Sequence, residues 1–209
     1  MRHPRALVIA LLAAAATAVT AGAAISPGPL GPENVPVPKG PVFASVQAVK
    51  LGQKIDGIPC QAGEKLDYHV HAHLTIFVKG KAYQVPYGVG IGPPLEGQQT
   101  SAGPFVVAGS CIMWLHTHAL DGIIHMEAPK RQAFTLGQFF DIWGIKLSTT
   151  GVGAYKGKVM TFYDGKVWKG NPRSVPLTNH TEVQLDIGSP VVPAEHINFP
   201  KTLGTNLGR

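Results

Sequence analysis

The stretch Tyr68-His-Val-His-Ala-His-Leu-Thr-Ile-Phe-Val78 decides the fold. Side chains alternate faces along a strand, so Val70, Ala72, Leu74, Ile76 and Val78 share one face while His69, His71 and His73 share the other. One face suits a core and the other a ligand. Three imidazoles in a row are awkward for folding alone, because each needs a hydrogen-bond partner or water and protonation sets like charges side by side.

A second cluster follows in Ile112-Met-Trp-Leu-His-Thr-His118, and a third in Gly122-Ile-Ile-His-Met-Glu127. Read as strands, these place His116 and His118 on one face, and His125 and Glu127 together opposite Ile124 and Met126. Neutral imidazole is the commonest nitrogen ligand of transition metals, so His69, His71, His73, His116, His118, His125 and Glu127 are the candidate metal ligands. Histidines two apart on a strand are separated by roughly 6.6 Å at Cα, which limits one ion to two of the first three. The expectation is one site drawing on both clusters, or two neighbouring sites, with remaining histidines orienting the ligands. His180, just before the last expected strand, is a minor further candidate.

The N-terminus reads as an export signal. Met1-Arg-His-Pro-Arg5 is a basic start, an Ala-rich apolar run follows, and Ala21-Gly-Ala23 fits a cleavage site, giving a signal peptide over residues 1–24. An uncleaved membrane anchor is the alternative, since residues 6–25 carry no charge. Either way the domain lies outside the cytoplasm. Residues 25–41, with six prolines from Pro27 to Pro41, read as an extended linker. A single domain then spans 42–190, and 191–209 is an irregular tail. The formal charge of +6 falls to +4 once Arg2 and Arg5 leave with the signal. The remaining basic residues are scattered without interleaved aromatics, which excludes a nucleic-acid binder.

Cys60 and Cys111 are the only cysteines, and in an exported chain they are expected to form one disulfide that encloses the first histidine strand. A thiolate copper ligand is the alternative, disfavoured because Cys111, Met113 and Leu115 alternate away from His116 and His118. Met113 and Met126 read as core for the same reason. Val42–Lys50 is expected to be a strand, Lys79-Gly80-Lys81 a hairpin turn with Ala82–Val85 returning, and residues 86–109 a loop over the site followed by a strand into Cys111. A single helix is signalled by Thr135 as N-cap, Gln138 completing a capping box, the stripe Leu136, Phe139, Phe140 and Trp143, and Gly144 as C-cap. Strands resume at Val159–Tyr163, an Asp164-Gly165 turn, and Thr181–Ile187. The fold class is therefore all-β, a sandwich or barrel with one short α-helix.

Taken together, Tyr68-His-Val-His-Ala-His-Leu74, Leu115-His-Thr-His118, Gly122-Ile-Ile-His-Met-Glu127 and Phe134-Thr-Leu-Gly-Gln-Phe-Phe-Asp-Ile-Trp-Gly144 resemble a family of uncharacterised exported His-rich proteins of bacteria and archaea. The resemblance covers residues 54–189 and transfers no activity. Family members carry an acidic residue directly after His-Thr-His, where this chain has Ala119, with Asp121 as the candidate substitute. The expected function is an exported protein that binds copper or zinc for buffering, delivery or resistance, with copper(II) favoured by affinity order. The alternative is a cupin-like metalloenzyme in which His116, His118 and His125 bind the metal and Glu127 or Asp121 moves protons. The expected partner is a metal ion. The sequence does not identify a protein partner that would receive the metal, and a membrane enters only if the N-terminal segment stays uncleaved.

Overall fold

In the computed structural model, which describes residues 28–208, the strand Tyr68–Val78 forms as its alternation predicts and becomes the centre of the molecule. Val70, Leu74 and Ile76 are buried in the main core, and the histidine face turns the other way. The expected signal peptide lies outside the described residues, and no helix among them is long and apolar enough to cross a membrane.

The described residues are mostly β, in several sheets, with a single α-helix. The largest sheet runs Lys166–Val167, Val159–Tyr163, Thr181–Ile187, Tyr68–Val78, Ile123–Ala128, Leu115–His116, with Lys81–Tyr83 paired to the far end of the central strand. Thr181–Ile187 lies parallel to the central strand, and Ile123–Ala128 and Lys81–Tyr83 lie antiparallel to it. Both hairpin turns use two consecutive residues at positive φ, Lys79-Gly80 at 49° and 75° and Asp164-Gly165 at 47° and 75°. That conformation matches the twist of the flanking strands and explains the echoed Lys-Gly and Asp-Gly pairs. The helix Leu136–Trp143 has the expected capping box between Thr135 and Gln138, and it ends at Gly144 in the left-handed region. Its Phe139, Phe140 and Trp143 pack into the same core as Val70 and Leu74.

A four-stranded sheet orders Lys54–Ile55, Ile58–Gln61, Cys111–Met113 and Ile91–Gly92. Cys60 and Cys111 are joined by the expected disulfide within it. Three expectations differ. The run from Cys111 to His118 is not one strand: Cys111–Met113 belongs to the smaller sheet and Leu115–His116 to the larger, and the chain crosses between them at Trp114. Val42–Lys50 is not a strand, because it pairs only at Val42 with Gln84, while Gln47 instead donates to the carbonyls of Asp141 and Ile142 at the helix end. Residues 86–109 are not an open loop, since Glu96–Thr100 and Gly103–Ala108 form a hairpin.

The Pro-rich segment is more than a spacer. Leu30 bridges Pro36, Gly31 N donates to Val35 O at 2.8 Å, and Val35 and Val37 are buried. The turn delivers Glu33 into the interior, where it is 7 % exposed. The tail is irregular, yet Asn206 exchanges two main-chain hydrogen bonds with His69, each 2.7 Å.

Candidate metal centre

Register puts the ligands in line. His71 lies opposite His125 on the neighbouring strand, and His125 lies opposite His116 on the next, so three imidazoles form one row across the sheet. Glu127 lies opposite His69 one step along. Directly opposed residues share a face and stand close at Cβ, so this row follows from pairing alone. His118 arrives differently. It leaves the sheet after His116 through a turn pinned by Thr117, whose hydroxyl donates to Pro86 O at 2.7 Å and accepts from Val89 N at 3.1 Å. The turn brings His118 Nε2 to 3.1 Å from His116 Nε2.

Each of the three innermost rings has its outward nitrogen committed to an acceptor. His116 Nδ1 donates to Met113 O at 2.9 Å, His118 Nδ1 to Val106 O at 2.6 Å, and His125 Nε2 to Glu33 Oε1 at 2.6 Å. A neutral imidazole has one N–H, so these bonds leave lone pairs on His116 Nε2 and His118 Nε2, and on His125 Nδ1 once that ring gives up its second proton. All three free nitrogens face Glu127 or one another: His125 Nδ1 is 3.3 Å and His116 Nε2 3.8 Å from Glu127 Oε1. His116, His118, His125 and Glu127 each offer a donor atom within 4.8 Å of the others, and all four residues are buried. Ligands held at about 2.0–2.1 Å in a tetrahedron are separated by roughly 3.3 Å, so the spread fits one small cation.

A second overlapping group is His69, His71 and His125. His69 Nε2 stands 3.2 Å from Glu127 Oε1, and neither nitrogen of the buried His71 has a hydrogen-bond partner among the described residues. His73 is set apart from both groups. Its Nε2 donates to Asp121 O at 2.7 Å and its Nδ1 accepts from the Thr75 hydroxyl at 3.3 Å, which makes it a satisfied structural histidine. His180 is also outside, its ring stacked on Phe199 at 4.5 Å between centroids. Asp121 is buried behind His125 rather than beside the donors; its Oδ1 accepts from Ile123 N at 3.2 Å.

The electrostatics fit rings kept neutral around one charged member. Burial, and then the neighbouring His118 and His125, hold His116 well below the ordinary imidazole range. Burial followed by the charge of His125 lowers His118 to about 4, and the same causes with His69 added lower His71 to about 2. Burial is also the largest single influence on His125 and pulls it down, yet the Glu33 and Glu127 carboxylates together push it up to about 10. Burial, with Glu33 close by, raises the Asp121 carboxyl well above its usual range. At the rim, Glu64 Oε1 is 3.6 Å from His118 Nε2, and burial and Glu127 raise its pKa.

The sequence reading did not single out Glu33 or Glu64. Glu33 is the one acidic residue in the Pro-rich segment, a signal that was present; nothing around Glu64 distinguishes it. Comparisons with protein-family models, with curated proteins and with solved structures return no match to this chain.

Proposed function

We propose that this protein holds a divalent transition-metal ion through His116, His118, His125 and Glu127, outside the cytoplasm, for metal buffering or delivery. The observation that carries the reading is the commitment of three outward ring nitrogens to Met113 O, Val106 O and Glu33, which aims three inner ring nitrogens and a carboxylate oxygen at one point. Hydrogen bonds of this kind orient metal-bound histidines and fix their tautomers. A structural polar cluster would instead give its inward-facing nitrogens hydrogen-bond donors.

Three imidazoles and a carboxylate suit zinc or copper(II). Both cysteines are in the disulfide and Met113 and Met126 lie in the core, so none of these four sulfurs is offered to the ion. The disulfide supports an oxidising compartment. The exported His-rich proteins that share the Tyr68–Leu74 and Leu115–His118 motifs are proposed to bind metal in the same way.

Holding an ion is favoured over catalysis on it. Four protein donors complete a tetrahedral set, whereas a catalytic zinc keeps a position open for water or substrate. Two grooves among the described residues, of about 390 and 460 Å³, are lined by residues such as Val42, Tyr87 and Leu95, and Arg131, Gln132 and Asn179, and not by the donor set.

Elemental analysis of the purified protein, before and after a chelator and on reloading with Zn²⁺ or Cu²⁺, tests the reading. At least one ion per chain is expected, lost in a His116→Ala/His118→Ala variant that keeps its circular dichroism. A wild-type protein that takes up no stoichiometric metal sinks it.

A further inference from the structure

The four-donor set leaves His71 unexplained. Its ring is 0 % exposed, and both nitrogens lack a hydrogen-bond partner among the described residues. Buried polar groups are normally paired, so an imidazole with two orphaned nitrogens points to a missing partner. Two more atoms of the cluster are orphaned: His69 Nε2, which stands 3.2 Å from Glu127 Oε1, and Glu127 Oε2. The His69 and His71 rings are 4.6 Å apart, and one donor atom each from His69, His71 and His125 falls within 4.8 Å.

His125 cannot serve both groups, because its Nε2 is held by Glu33 and one nitrogen remains. A carboxylate can. Its two oxygens can bind two cations, and paired metal sites commonly place their ions roughly 3.5–4 Å apart.

Resting on the metal reading above, we propose that the centre is dinuclear: His69 Nε2, a His71 nitrogen and Glu127 hold a second divalent transition-metal ion, and Glu127 bridges it to the first. The charge of two ions is offset locally by Glu127, by Glu33 behind His125 and by Glu64 beside His118. The second position is the outer one. The His69 side chain is 20 % exposed while His116 is fully buried, so the second ion is the one that exchanges with solvent.

Stoichiometry decides this. The purified, metal-free protein is titrated with Zn²⁺ alone, dialysed, and counted by mass spectrometry; two ions per chain are expected for the wild type and one for His69→Ala/His71→Ala. In wild-type protein loaded with two equivalents of Cu²⁺, electron paramagnetic resonance is expected to lose at least half of the isolated-copper intensity through coupling of adjacent ions. The double variant is expected to restore it. The single variant His69→Ala, at a partly exposed position, guards against misfolding, and the wild-type count and spectrum need no variant at all. One ion in the wild type, or two that persist in the double variant, overturns the second site and leaves the first standing. No ion in the wild type overturns both.

Discussion

His116 Nε2 and His118 Nε2 face each other at 3.1 Å, although each ring already donates its Nδ1–H to a main-chain carbonyl. Two lone pairs at that distance repel unless a cation stands between them. Metal should therefore stabilise the fold strongly. A ligand that binds only the native state contributes about 2.7 kcal/mol at a free concentration of 100 Kd, which for a domain of this size raises Tm by roughly 5–10 °C. Differential scanning calorimetry of chelator-treated protein, with and without added Zn²⁺ or Cu²⁺, measures this, and no upward shift at saturating metal contradicts it.

The charge on His125 makes uptake release a proton. With Glu33 and Glu127 outweighing burial to hold it near a pKa of about 10, His125 is protonated at pH 7.0 in the metal-free protein, whereas His118 at about 4 is already neutral. One proton per ion should leave from Nδ1. Calorimetric titration in buffers of different ionisation enthalpy should report about one proton, and the affinity should rise about tenfold per pH unit between pH 6.5 and 9.

The stability of the metal-free protein has the opposite dependence on these rings. The raised pKa of His125 contributes stability that is full below the unfolded value of 6.5 and lost as pH rises towards 10. The lowered values of His118 and His71 contribute stability that is lost as pH falls below 6.5 towards about 4 and about 2. Urea midpoints across pH should fall off on both sides of a near-neutral range, and a midpoint that keeps rising below pH 5 contradicts the assignment.

Glu33 positions His125 from a segment that lacks secondary-structure periodicity. Glu33→Ala should weaken metal binding roughly 10–100-fold, the usual effect of losing the partner of a ligand histidine. Glu33→Gln keeps an acceptor for Nε2–H but removes the charge, so affinity should recover in part while proton release at pH 8 falls below one. Loss of packing alone would not separate those two readouts. Gly31 is part of the same device: a Cβ there would lie 2.9 Å from Asp121 Oδ2 and 3.1 Å from Val37 Cγ2. Gly31→Ala should cost roughly 1–3 kcal/mol, the range for overpacking, and weaken metal binding by moving Glu33.

What could be read from the residues was whatever repeats locally. The alternation of Tyr68–Val78, the Thr135/Gln138 capping box and the two-residue turns all formed as expected, because each is set by neighbours within a few positions. His118 joins the donor group by a different route from strand alternation: the chain changes sheets at Trp114, and the Thr117 turn brings the ring in. Setting His73 apart required knowing that Asp121 O would come within 2.7 Å of its Nε2. Glu33 and Glu64 come from irregular segments whose positions depend on contacts far along the chain, so no local pattern announces them.

The disulfide ties the strand before the first histidine cluster to the strand before the second. Cys60 and Cys111 are 51 residues apart, and the closed loop contains the whole central strand, while Cys111 stands five positions before His116. In the chain-entropy picture a loop of that length is worth about 4 kcal/mol, carried mostly by restriction of the unfolded chain. Cys60→Ala/Cys111→Ala should thus lower the Tm of the metal-free protein by roughly 8–16 °C. Metal affinity measured well below that Tm should change far less, because His116 remains paired to His125 in the larger sheet and His118 remains held by Thr117 and Val106. If the variant lost metal binding while still folded, the bridge would be shaping the site directly.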